Sequence, residues 1–181
     1  MSAGGGTSQN SEKAGATASL LRFIAIGTIT GLGFGLVMAI VSNGFVLGVK
    51  ALSSLREGQL FDLLRVGDLP MSFAPIISLL VAVAAILVVR RVFGIKRWHG
   101  PADAIHAAHR SDNELDVKSG FGSTLAAFIS ASGGASVGQY GPLVHFGATM
   151  GSFLRQTTGG VLSTDIFIGC GVAGAIAAGF N

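Results

Sequence analysis

Residues 119–154, SGFGSTLAAFISASGGASVGQYGPLVHFGATMGSFL, form a stretch of 36 residues without one Asp, Glu, Lys or Arg. A helix needs only ~20 apolar residues to cross the hydrocarbon core of a bilayer. Two breaks, at residues 132–134 (SGG) and 138–142 (GQYGP), exclude one continuous helix. At bilayer depth, broken backbone is tolerated only where protein buries it or where it lines an aqueous cavity, so the breaks predict a site.

Two further charge-free stretches lie towards the N-terminus, with 27 residues at 23–49 and 21 residues at 69–89. Half of the 181 residues are apolar and only 12% are charged, which is about half the charged fraction of an ordinary globular domain. The charges that would solvate a soluble surface are therefore missing. We predict an all-α integral membrane protein, a bundle of several helices of which some are broken or re-entrant.

Turn signals divide this bundle into six predicted helices. They cover residues 20–52, residues 70–92 or 75–92, residues 102–109, a segment from Ser119, residues 142–155 and residues 165–181. Residues 102–109 are too few to span a bilayer, so they predict a re-entrant or partial helix. Residues 1–18 are rich in Gly, Ser, Ala and Thr and predict a disordered tail, which leaves residues 19–181 as the transmembrane domain.

Three glycines share one face of the first predicted helix. Gly27, Gly31 and Gly35 follow one another at four-residue spacing. Such spacing lets a second helix approach closely, so we interpret them as helix-packing residues.

Basic residues cluster directly after the second apolar stretch, at Arg90, Arg91, Lys96 and Arg97. The positive-inside rule places such a flank in the cytoplasm, which predicts a multi-pass protein of the plasma (bacterial inner) membrane with a cytoplasmic N-terminus.

The remaining Lys and Arg are spread thinly without interleaved aromatic residues, so we expect no nucleic-acid partner. The lone Cys170 excludes a disulfide or a Cys-based metal site within one chain, and we expect no metal and no cofactor.

The break at residues 138–142 predicts a site for an anion. Pro142 suits a first helical position, and the free N–H groups of a helix start attract negative charge. Gly138 and Gly141 keep side chains out of the way. Gly100-Pro101 predicts a second helix start of this kind, although Asp103 in its first turn would itself satisfy the free N–H groups. Ordinary kinks of membrane helices are the alternative interpretation of each motif.

Residues 132–154 resemble the segment of CLC chloride channels and anion/proton exchangers that carries G-K/R-E-G-P before an apolar helix. Residues 167–181 are similar to the family helix that ends in F-N-A-P. Residues 116–122 resemble the entry to the helix that precedes the G-K/R-E-G-P motif. The resemblance implies the N-terminal portion of a CLC-type inverted-repeat fold, so we expect the complete protein to continue past Asn181. It also implies a homodimer in membrane lipid.

Gly138, Gly141 and Pro142 match the family's motif residue by residue. This match implies that backbone amides line an anion path. Tyr140 stands at the position of the family's gating glutamate, and Gln139 replaces a Lys or Arg. A tyrosine with a pKa of ~10 stays neutral, so it cannot imitate an anion or shuttle protons. It can still block the path or donate a hydrogen bond to the ion. We therefore expect passive anion movement without proton coupling.

The family's first anion motif, G-S-G-I-P, is only partly kept in residues 98–101 (WHGP). The glycine and proline are present, the ion-contacting serine is absent, and His99 is a candidate donor. The candidate anion pathway comprises His99, Gly100, Pro101, Gly138, Gln139, Tyr140, Gly141 and Pro142, with Tyr140 at the gate position and chloride or a similar small anion as the ligand.

Three other interpretations remain open. The chain can be a small oligomeric membrane scaffold or a non-functional fragment. Residues 169–174 (GCGVAG) fit a dinucleotide-binding fingerprint, but this motif needs a strand before it and a βαβ unit around it. An intramembrane serine protease would use Ser132 or Ser136 as nucleophile and His145 or His106 as base.

Overall fold

The computed structural model describes residues 5–64, 67, 72–110, 115–136, 138, 140–158 and 162–179. Over these ranges the chain is helical and contains no β-strand, which confirms the all-α prediction. The elements are α1 (Gly5–Leu55), a π-helical turn (Arg56–Leu60), α2 (Phe61–Leu63), α3 (Ala74–Phe93), α4 (Pro101–His109), α5 (Val117–Ser132), α6 (Tyr140–Thr158) and α7 (Thr164–Gly179).

Turn chemistry explains where several helices begin and end. Pro75 lies in the first turn of α3, as predicted. At the other end, Gly94 has φ 65°, and its N–H donates to the carbonyls of Arg90 and Arg91. This left-handed residue ends the helix, because glycine adopts positive φ without steric cost. The following residue, Ile95, is 3% exposed, so the turn also buries an apolar side chain.

Two helix starts differ from the prediction. α1 begins at Gly5, so residues 5–18 of the predicted tail are helical in the structure, while residues 1–4 lie outside the described ranges. α6 begins at Tyr140 rather than at Pro142. Pro142 is thus the third helical residue, where its missing N–H costs nothing because the first four N–H groups of a helix have no acceptor within it.

The outer faces of α1 and α3 carry large exposed apolar side chains. Ile29, Leu32 and Val92 are each about 70% exposed to the surroundings of the chain. Both helices are long and apolar enough to cross a membrane. The 51 residues of α1 extend roughly 75 Å, well beyond the ~30 Å of a hydrocarbon core. The nine residues of α4 are too few to span, as predicted.

Glycines bring α6 and α7 into backbone contact. A Cβ added at Gly147 would collide with the carbonyl of Gly171, and one added at Gly171 would collide with the carbonyl of Gly147. One turn further along α6, a Cβ at Gly151 would lie 2.7 Å from the carbonyl carbon of Phe167. Since no side chain separates the backbones here, the two helices approach each other closely, as small residues at a membrane-helix contact allow.

α7 in turn packs against α1. A Cβ at Gly174 would lie 3.3 Å from the Phe34 carbonyl oxygen, and the Ser42 hydroxyl donates to the Ala178 carbonyl at 3.4 Å. The GCGVAG segment therefore lies in the interior of a helix and serves packing. The dinucleotide-binding interpretation is wrong, because the motif requires a strand and a turn at this point.

Gly27, Gly31 and Gly35 do not mediate packing within this chain. A Cβ added to any of them would meet no heavy atom within 4 Å. The reason is that α7 contacts α1 at Phe34, Met38 and Ser42. The three glycines lie on a part of the α1 surface that α7 does not cover. Within the described part of the chain no helix packs against these three glycines, so their role in helix packing stays a prediction.

Asp116 caps the start of α5, in the connection that precedes this helix. Its carboxylate accepts hydrogen bonds from the Ser119 N–H at 3.2 Å and from the Ser119 hydroxyl. The hydroxyl bond, followed by the bond from the backbone N–H, holds the pKa of Asp116 below its usual value. A group with a lowered pKa stabilises the fold above its unfolded pKa, and this contribution disappears as the pH falls through the lowered value.

Replacing the cap should therefore change both stability and its pH dependence. We expect Asp116→Ala to lower the free energy of unfolding at neutral pH by ~1 kcal/mol, the usual value of an N-cap. As the pH falls below about 4, through the unfolded pKa of the carboxyl and then its lowered folded pKa, the difference from the parent protein should shrink. Thermal unfolding followed by circular dichroism in detergent measures both effects. A constant difference at all pH values would contradict the assigned role.

Candidate anion-binding site

The starts of α4 and α6 meet at one cavity of about 160 Å³. Its lining residues are His99, Gly100, Pro101, Ser123, Thr124, Ala127, Gly141, Pro142 and His145. The two glycine-proline motifs face each other across it, since a Cβ added at Gly141 would lie 3.7 Å from Pro101 Cγ. Five of the eight predicted pathway residues therefore line one cavity. A larger cavity of about 570 Å³ between α1, α3 and α5 has an almost entirely apolar lining.

The start of α6 is the more favourable end for an anion. No acidic residue lies in its first turn, and Arg155 lies in its last turn. The free N–H groups and the helix dipole thus present partial positive charge that no carboxylate of this turn neutralises. Gly141 adds no side chain that would shield these groups from the cavity.

The start of α4 is already occupied by its own carboxylate, as the sequence predicted. The Asp103 carboxylate accepts a hydrogen bond from the Gly100 N–H at 2.8 Å and forms an ion pair with Arg97. Less partial positive charge remains there for an outside anion.

Ser123 of α5 joins the site, although the sequence analysis did not single it out. Its hydroxyl oxygen accepts a hydrogen bond from the His99 backbone N–H at 2.9 Å and so fixes the segment before α4 against α5. A hydroxyl that accepts can still donate its own proton, which suits an anion in the cavity. Nothing in the sequence separates Ser123 from the other serines of this helix, so only the fold reveals it.

His145 is the second residue that the sequence analysis did not place in the site. It is 1% exposed, and neither of its ring nitrogens has a hydrogen-bond partner among the described residues. Its ring lies edge-on to that of His99, with 6.2 Å between the ring centroids. The i, i+4 spacing from Gly141 was a usable signal, because residues so spaced share one face of a helix.

Two of the described pathway residues do not line the cavity, and a third lies outside the described residues. Gly138 is exposed, and Gln139 lies outside the described residues. Tyr140 is 41% exposed, and its ring packs on α7, where a Cβ added at Gly179 would lie 3.0 Å from Tyr140 Cδ1. The residue at the predicted gate position therefore lies beside the cavity, at the first residue of α6.

The protease interpretation is not supported by the placement of its residues. Ser132 lines the large apolar cavity, whereas His145 lines the small one. Over the ranges that the structure describes, no hydrogen bond joins Ser132 or Ser136 to His145 or His106. A serine nucleophile needs a base within hydrogen-bond reach, so these residues do not form a catalytic pair.

Short and broken helices that direct their N-termini at an internal cavity define a class of protein, the membrane proteins that bind or move small charged solutes. The family model described as voltage gated chloride channel matches residues 80–181, which is more than half of the chain, and this chain belongs to that family. Membership makes it an integral membrane protein of the chloride channel or transporter type. No curated protein and no solved structure matches the chain.

Proposed function

We propose that this chain carries chloride or a similar small anion passively through the membrane, and that the ion binds in the cavity between α4 and α6. The observation that carries the proposal is the shared cavity at the starts of these two helices. The N–H groups of the first turn of α6 would hold the ion, and the Ser123 hydroxyl would donate to it in place of the serine missing from residues 98–101. His99 would contribute a further donor.

We also propose that the anion moves without coupled protons, because Tyr140 occupies the position of the gating glutamate. Its ring packs beside the cavity, at the first residue of α6, where it would narrow the approach to the ion. A phenol that stays neutral near pH 7 does not compete with chloride as a carboxylate does.

Flux measurements test both statements. In proteoliposomes with an outward chloride gradient, we expect chloride efflux without proton movement, followed by a chloride electrode and a pH electrode. Tyr140→Phe keeps the ring and should leave proton flux absent. Tyr140→Glu should introduce chloride-dependent proton movement if the rest of the proton path is present. A proton flux of the parent protein that tracks its chloride flux would contradict the proposal.

We further propose a plasma-membrane protein with a cytoplasmic N-terminus that forms a homodimer. The basic residues Arg90, Arg91, Lys96 and Arg97 at the end of α3 support this orientation. The uncovered face at Gly27, Gly31 and Gly35 would suit a second copy or the scaffold role. Labelling of Lys96→Cys in right-side-out vesicles by an impermeant reagent would contradict the orientation.

A further inference from the structure

Among the described residues, neither ring nitrogen of the buried His145 makes a hydrogen bond of good geometry, and the ring lines the cavity that we propose for the anion. Each neutral imidazole carries one N–H donor, and protonated imidazole carries two. Buried donors are almost always paired, since an unpaired one loses its bonds to water without compensation. The cavity of about 160 Å³ has room for a small ion or a water molecule that could accept the hydrogen bond of the ring.

The surroundings of the ring favour an acceptor that enters from outside the chain. The facing ring of His99 also has a nitrogen, Nδ1, without a hydrogen-bond partner. The Gly100 backbone interacts with the His145 ring, although the contact falls short of a hydrogen bond of good geometry, so an anion would compete with this carbonyl for the ring N–H. The Thr149 hydroxyl donates its hydrogen bond to the His145 carbonyl at 2.8 Å, so this bond does not involve the imidazole ring.

We infer that His145 donates a ring N–H directly to the anion and that, together with His99, it makes the cavity bind anions more tightly as the pH falls. This inference rests on the proposed function. Protonation adds a donor and a positive charge to each ring, and both changes favour an anion. The acidic groups that act on the two rings are Asp103, on both His145 and His99, and Asp116, on His99, while the two rings repel each other when both are charged.

Chloride binding to the purified chain in detergent, measured by isothermal titration calorimetry from neutral pH to about pH 4, tests the inference. We expect His145→Leu to weaken chloride binding about 10-fold or more, because a hydrogen bond to a charged group is lost. His145→Gln keeps an N–H and should retain most of the affinity at neutral pH while it flattens the pH profile. His106→Gln, which changes an exposed histidine of α4, should match the parent protein.

The outcomes separate the inference from the proposed function. If the parent protein binds chloride and both His145 variants keep its affinity and pH profile, the inference is overturned and the proposed function stands. If the parent protein neither binds nor conducts chloride, the proposed function itself fails. A merely structural bond to the Gly100 carbonyl would lower the thermal stability of His145→Gln without changing its pH profile, which also overturns the inference. Where His145→Leu does not fold, the pH profile of His145→Gln alone decides.

Discussion

Leucine in place of Gly171 is expected to prevent the chain from reaching its folded state. A Cβ at this position already collides with the carbonyl of Gly147, so the larger side chain must separate α6 from α7 along the whole contact. Overpacking of a rigid interior costs 1–3 kcal/mol, and a backbone that cannot yield raises the cost to about 3 kcal/mol or more. Gly147→Leu should have the same effect, because the contact is reciprocal.

Size-exclusion profiles and thermal unfolding in detergent measure this effect, with Gly31→Leu as the matched control. Gly31 also lies in a helix, yet no heavy atom lies within 4 Å of an added Cβ. We expect Gly31→Leu to leave the stability of the single chain within about 0.5 kcal/mol of the parent value. If Gly171→Leu folds as well as Gly31→Leu does, the described contact of α6 with α7 is wrong. A loss of dimers in Gly31→Leu alone would support the open face as the interface between two copies.

These glycines show what the sequence could and could not establish about the fold. The charge-free stretches, Pro75 and the break after Ser132 were enough to predict helices and most of their ends, because span length and turn chemistry are local properties. Which glycines touch another helix is not local. Gly147 and Gly151 have the same four-residue spacing as Gly27, Gly31 and Gly35, yet only Gly147 and Gly151 have α7 against them.

The same difference between local and non-local properties applies to the candidate site. Each glycine-proline motif was visible as a helix start, and the need to bury broken backbone predicted a cavity. That the two starts face one cavity depends on how α4 packs against α6, which no spacing in the sequence states. Ser123 and His145 enter the site only through this packing. Tyr140, by contrast, was placed by family resemblance at a gate, and the structure locates its ring against α7 instead of within the cavity.

A phenylalanine at Gly141 is expected to reduce chloride flux to the level of protein-free vesicles. The first carbon of any side chain here points towards Pro101 and meets Pro101 Cγ at an ordinary 3.7 Å, so alanine fits without strain. The ring of phenylalanine must extend further, into a cavity of only about 160 Å³ that His99 and His145 also line. It would exclude the anion and shield the first N–H groups of α6 from it, which removes the attraction of the helix start.

Gly141→Ala is the control for this variant, since it tests the loss of glycine without filling the cavity. It should conduct within a few-fold of the parent protein. Gly141→Ala should keep the parent thermal stability, because an added Cβ makes no contact closer than ordinary van der Waals distance. The thermal stability of Gly141→Phe is measured alongside, so that its flux is compared only for folded protein. Flux through folded Gly141→Phe at the parent rate would place the anion path elsewhere, whatever the affinity of the cavity. Because the Tyr140 ring packs outside the cavity, Tyr140→Phe leaves this space unchanged, so only the Gly141 pair tests whether the path runs between the two helix starts.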